Sequence, residues 1–342
     1  MPARTAWPET PVTLDALSAG WRIALAAAQD ALHASAECPA PTLEPDDLRV
    51  RTNRLVHERE AVAALLDADA RMEHVRLVRA LTLPTASKDE LGLPAAVDAC
   101  LFSLDGVLTT SADIHFAAWA TAFDEFLNRR LERGSIHFSH YARFSRRSDY
   151  DEHIQGQPRL DGVRAFLVSR GITLPEGDPA DPPGAETVHG LANRKNQALL
   201  RLLEHEGVRA FAGAHRYLQA ATDAGLASVV ISASANTGAI LDRAGLADLV
   251  DLRIDGNTMR AEGLRAKPAP DTLVAACDQL HLRPEHVAAF ETTAEGVRAA
   301  RSAGVALVVG VDRSGDGDGL DSARPDVLVG DLAELLAPKL RR

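Results

Sequence analysis

Residues 96–111, AVDACLFSLDGVLTTS, constrain this chain more than any other stretch. A short run rich in Val, Leu and Phe passes directly into Asp-Gly, which reads as a buried strand entering a tight loop. Such a strand carries apolar residues without alternation because a parallel sheet is covered on both faces. In open α/β sheets, chemistry gathers beyond the carboxyl ends of the strands. Ser103, Asp105 and Gly106 therefore fall where a site would form.

The same pattern returns later. Apolar runs near 227–232, 249–254, 287–290, 305–309 and 326–329 alternate with helical segments, the clearest at 214–224 and after Asn236. Repeated strand–helix units of this length call for an α/β fold with a parallel sheet and right-handed crossovers. Residues 120–207 contain no strand-like run and read as an all-helical insertion, interrupted by the surface loop PEGDPADPPGAE. The expected organisation is a core of 95–119 and 208–342, a helical cap of 120–207, and an N-terminal region of 1–94.

In that N-terminal region, Thr13 opens an Ala-rich amphipathic helix. The three prolines of CPAPTLEP end it. From Asp46, Leu48, Leu55, Val62 and Leu65 fall near heptad spacing, as in half of a helical hairpin or a short coiled-coil seam. Two readings stay open: a hairpin packed on its own domain, or a homodimer or protein partner held through residues 13–80. Residues 81–94 read as a linker.

Composition bounds the remaining classes. At 342 residues, 46% hydrophobic and 25% charged, the chain has length for a full core. A net charge of −11 argues against nucleic acid as a partner, whose binders carry basic patches. No apolar stretch approaches the roughly 18–20 residues of a membrane span. The opening MPARTAWPETP lacks the apolar region of a signal peptide. Cys38, Cys100 and Cys277 are scattered, with no metal-ligand spacing. These features together lead to the expectation of a cytoplasmic protein with reduced thiols.

Three further motifs follow FSLDGV at strand ends: VVISASANTG, RAKPAPD and AAFETTAEG. In this order they resemble the four motifs of the haloacid dehalogenase-like superfamily, with its Rossmann-like core and helical cap. DGVLTTSADIHFAAW, RKN at 194–196 and SASAN at 232–236 are similar to its β-phosphoglucomutase subfamily, and GQPRLDGVRAF resembles an actinobacterial branch of sugar-phosphate phosphatases and mutases. The resemblance implies Mg²⁺-assisted phosphoryl transfer through an aspartyl-phosphate. It implies that Asp105 is the general acid/base, and that Lys267, Ser232 and Asn236 hold the phosphoryl group. It further implies that Arg159 and Lys195 reach the distal phosphate and assist the acid, and that Ser111 and His115 orient it. For the metal it implies Glu291 and Asp105.

Two positions depart from that pattern. The nucleophile's place is Ser103, and the acidic pair of the fourth motif reads Glu291-Thr292, so two metal carboxylates are missing. A serine hydroxyl is protonated at neutral pH and needs an adjacent base, and it is a poor Mg²⁺ ligand. The expectation is that Mg²⁺ binding is weak or lost and that a phosphate or sugar-phosphate pocket remains, used for ligand sensing or partner binding. Two alternatives stand beside it. One is a hydrolase that avoids the aspartyl-phosphate, with Asp105 or Glu291 activating water. The other is an interaction protein working through its N-terminal helices. Plainer readings also stand: Lys267 simply pairs with Glu291, His115 and Trp119 are core, ARFSRR is a solvated face, and GDGDG is a turn.

Overall fold

In the computed structural model, residues 86–134, 142–313, 315 and 319–336 are described. The expectations for residues 13–80 lie outside the described residues. Six parallel strands form one sheet: β1 (Ala99–Ser103), β2 (Ala227–Ile231), β3 (Leu252–Ile254), β4 (Val287–Glu291), β5 (Leu307–Val311) and β6 (Val327–Val329). Their order is β3-β2-β1-β4-β5-β6, so β1 is central and the chain reverses direction across it. The α/β, Rossmann-like expectation holds.

The continuous apolar signal of β1 has a direct cause. Cys100 and Phe102 point into one hydrophobic core, Ala99 and Leu101 into another on the opposite face. Phe102 stacks on Phe290 of β4 with centroids 4.6 Å apart, and Tyr217 meets Phe102 edge-on at 6.1 Å. The Tyr217 hydroxyl donates to the Leu91 carbonyl at 3.0 Å, so its polar end is satisfied in the core.

Helices α1 (Ser111–Glu132), α2 (Arg159–Ser169) and α3 (Val188–His205) lie between β1 and β2, with a π-helical segment at Arg146–Ile154. Every element described between these two strands is helical. Helix α1 runs unbroken through residues 119 and 120, where the sequence had suggested a domain boundary. Its outer half joins a third core in which Phe123 lies 3.7 Å from Phe166 and 5.0 Å from Trp119, centroid to centroid. Phe144, within the ARFSRR stretch, turns inward to this cluster, and Arg146 lies over the Phe116 ring at 4.4 Å. That stretch is amphipathic and not simply a solvated face.

Helix α4 (Ala212–Asp223) leads into β2, and α5 (Thr237–Arg243), α6 (Gly256–Glu262), α7 (Asp271–Leu280) and α8 (Ala294–Ala303) follow it. The third strand begins at Leu252, three residues later than its apolar run suggests, because 247–249 close a short 3-10 turn. No helix among the described residues is long and apolar enough to cross a membrane.

Candidate functional site

Strand register assembles the site. Phe102 pairs with Phe290 and Ser103 with Ile231, so Ser103 ends β1 beside Glu291 of β4 and next to Ser232 just past β2. All the chemistry lies at the carboxyl edge of the sheet, as the topology requires.

Ser103 is hydrogen-bonded from two directions. Its Oγ donates to Glu291 Oε2 at 2.6 Å and accepts from Lys267 Nζ at 2.8 Å. Lys267 Nζ also reaches Glu291 Oε1 at 2.6 Å and Oε2 at 2.7 Å. Glu291 is only 2% exposed. The plain expectation of a Lys267–Glu291 ion pair is met, and Ser103 closes it into a triangle. Gly296 explains how Glu291 fits: a Cβ there would lie 2.1 Å from Oε2.

The loop after β1 is pinned. Gly106 adopts φ 79°, and a Cβ there would come within 3.1 Å of Thr292 Cγ2. Thr292 Oγ1 donates to the Asp105 main-chain carbonyl at 3.3 Å. Arg313, beyond β5, donates to the carbonyls of Gly106 at 2.7 Å and Val107 at 3.0 Å. Its guanidinium lies 3.5 Å over the Phe211 ring and pairs with Asp331 at 2.7 Å.

Ser111 Oγ donates to Asp105 Oδ1 and lies 2.6 Å from Thr109 Oγ1, fixing the carboxylate at the start of α1. His115 Nε2 is 3.9 Å from the same carboxylate oxygen. On the far side of the ring, Nδ1 meets Lys195 Nζ at 2.9 Å. Burial, reinforced by the charge on Lys195, lowers His115 to about 4. The Lys195 ammonium is itself lowered to about 7, by burial first and by Arg159 second. Neutral imidazole can therefore accept from the amine. Lys195 also stands 4.9 Å over Trp119, so His115 and Trp119 are both buried and both part of the cleft wall.

Ser232 and Asn236 occupy a turn that organises itself. Ser232 Oγ accepts from Ser234 N, Ser234 Oγ accepts from Asn236 N, and Asn236 Nδ2 donates to Asn196 Oδ1 at 2.9 Å. Arg159 lines the same cleft from α2. Burial and the nearby Arg260 disfavour its charge, and its Nε is buried without a partner.

Of the residues singled out from sequence, Ser103, Asp105, His115, Arg159, Lys195, Ser232, Asn236, Lys267 and Thr292 thus face one cleft. Ser111 and Glu291 stand behind it, as partners of Asp105 and Ser103. Tyr150, Gln155 and Thr272 also line it and were not singled out; nor was Arg313. The Thr272 hydroxyl is buried without a partner. A lone Arg or Thr after a strand or a proline carries no pattern that would mark it.

A family described as haloacid dehalogenase-like hydrolase matches residues 97–304. A β-phosphoglucomutase of Mycobacterium bovis is 46% identical over 256 residues, spanning 74% of this chain and 97% of that protein. Among solved structures, β-phosphoglucomutase from Clostridium difficile superposes with a TM-score of 0.55 at 20% identity, over 70% of this chain and 93% of the other. CbbY from Rhodobacter sphaeroides, solved in complex with xylulose-(1,5)bisphosphate, gives 0.54 at 19% identity, over 70% and 96%.

Proposed function

The chain belongs to the haloacid dehalogenase-like hydrolases, in their β-phosphoglucomutase-like branch, and on that premise we propose that its cleft binds a sugar phosphate without aspartyl-phosphate turnover. One observation carries this reading: Lys267 Nζ sits within 2.8 Å of both Glu291 oxygens and of Ser103 Oγ. A protein ammonium thus occupies the carboxylate that would otherwise face a metal.

The residues present do not fit Mg²⁺. That ion wants an octahedral set of hard oxygens, with carboxylates among them. Here Glu291 is bonded to Lys267 and Ser103, and the Asp105 carbonyl accepts from Thr292. Among the described residues, no group of three or more His, Cys, Asp or Glu side chains could hold a metal. These contacts support the reading that Mg²⁺ binding is weak or lost.

What remains suits recognition of a phosphate monoester. Lys267 supplies the cation, Ser232 and Asn236 the polar turn, and Arg159 and Lys195 further basic groups on the cleft wall. Charge-assisted hydrogen bonds of this kind are the strong ones in a partly desolvated cleft. The ligand then acts as a signal, with Arg159 and the π-helical segment of the cap folding over it.

The test combines calorimetric titration with glucose 1-phosphate and glucose 6-phosphate and a phosphate-release assay with Mg²⁺. The native protein should bind and release no phosphate, whereas Ser103→Asp/Thr292→Asp should turn over. Steady phosphate release by the native protein would overturn the reading in favour of an active hydrolase.

A further inference from the structure

We propose that Ser103 is a phosphoryl acceptor, phosphorylated once by a bound phosphate monoester to give a stable phosphoserine; this rests on the cleft binding phosphate as proposed above. The sequence alone left Ser103 without a base, because Asp105 is engaged elsewhere. The structure supplies one from 188 residues away: Ser103 Oγ already donates to Glu291 Oε2 at 2.6 Å. Glu291 is in turn held by Lys267 at 2.6 and 2.7 Å. A nucleophile bonded to a base, with the base oriented by a third group, is the general arrangement of an activated hydroxyl.

Position agrees with chemistry. Ser103 lines the cleft at the end of the central strand, while Glu291 lies behind it and does not line the cleft. A phosphoryl group entering the cleft therefore meets the hydroxyl and the ammonium before it meets the carboxylate. That order reduces repulsion between two anions. Lys267, also lining the cleft, can shift hydrogen bonds toward the phosphoryl oxygens as negative charge gathers there.

The step balances without a metal or a redox partner. Ser103 Oγ attacks phosphorus and its proton passes to Glu291 Oε2. The P–O bond to the leaving alcohol breaks, and its electron pair stays on that oxygen. A nitrophenolate leaves without a proton, and a sugar alkoxide takes one from water. The product is an alkyl phosphate ester, far less prone to hydrolysis than the acyl phosphate an aspartate would form. The reaction stops after one event per chain.

The experiment incubates the full chain, with chelator present, with p-nitrophenyl phosphate and separately with glucose 1-phosphate. It records nitrophenolate release, intact mass and the modified peptide; binding is followed separately as a thermal shift with inorganic phosphate. The expected result is one equivalent of nitrophenolate, one added phosphoryl group, and its location on Ser103. Ser103→Ala should abolish the adduct while keeping the phosphate-induced shift. Glu291→Gln should slow adduct formation about a hundredfold, as for loss of a general base. A phosphate-induced shift with no adduct overturns the acceptor role and leaves the binding reading standing. An adduct elsewhere, or one that survives Ser103→Ala, also overturns it. Neither shift nor adduct removes both.

Discussion

Lys267 touches both carboxylate oxygens of Glu291, at 2.6 and 2.7 Å, on a carboxylate that is 2% exposed. Removing one member of such a buried pair leaves an uncompensated charge, at a cost of about 3–5 kcal/mol. Lys267→Met should therefore lower the urea midpoint at unchanged slope. The double change Lys267→Met/Glu291→Gln should recover a good part of that loss, because the two residues act as a unit. A double variant no more stable than Lys267→Met would show that the pair is not what sets the cost.

With Lys267 in the place of a cation, ligand binding should not depend on Mg²⁺. Titrations of glucose 6-phosphate in Mg²⁺ and in excess EDTA should give the same affinity for the native protein. The Ser103→Asp/Thr292→Asp variant adds two carboxylates beside Glu291, so its affinity or turnover should fall on EDTA addition. A tenfold gain from Mg²⁺ in the native protein would contradict the assignment.

Arg313 holds the loop that carries Asp105. It makes two bonds to the Gly106 and Val107 carbonyls, a pair with Asp331 and a stack on Phe211. Arg313→Ala removes all four at once, while Arg313→Lys keeps charge but loses the fork and most of the stack. Both should weaken sugar-phosphate binding, the alanine more, with far-ultraviolet circular dichroism unchanged. Hydrogen exchange should rise at residues 105–108, and unaltered exchange there would exclude a positioning role.

How much of this was legible in the sequence depends on range. The strand at Ala99–Ser103 was readable because burial on both faces leaves an unbroken apolar run. Ser232 and Glu291 were readable because each follows or ends such a run, whereas Lys267 lies between α6 and α7, not at a strand end as expected, and was marked only by its Lys-Pro-Ala-Pro-Asp setting. The pairing of Ser103 with Glu291 was not, since it arises from the register of β1 against β4. No break in helical periodicity marks 119/120: helix α1 runs through it and passes there from one core, with Ile114 and Ala118, to another, with Trp119 and Phe123. Arg313 and Phe144 gave no signal, as their roles come only from distant neighbours.

Gly296 is a stringent test of the geometry behind Ser103. A methyl group there would lie 2.1 Å from Glu291 Oε2, much closer than any van der Waals contact. Gly296 also donates its N–H to Thr293 Oγ1 at 3.1 Å, capping α8. Gly296→Ala is favourable for helix propensity but must displace Glu291, so it should destabilise by about 1–3 kcal/mol, the range for overpacking. Thermal unfolding that matches or exceeds the native midpoint would show that Glu291 has room to move.

The pH dependence of anion binding should follow Lys195. Its ammonium is lowered to about 7 by burial and by Arg159, so it gains its charge as pH falls from about 8 to 6. That charge faces the cleft beside His115, Asp105 and Arg159. Sulfate, which does not titrate in this window, should bind several-fold tighter at the lower pH, and Lys195→Met should flatten the profile. Stability moves the other way. A lysine whose folded value lies below its unfolded one near 10.4 contributes most at high pH, and that contribution falls as pH drops toward about 7. Lowering pH should therefore tighten sulfate binding while reducing the unfolding midpoint of the free protein, and Lys195→Met should lose both trends. If sulfate affinity in that variant still rises with acid, the titrating group lies elsewhere in the cleft.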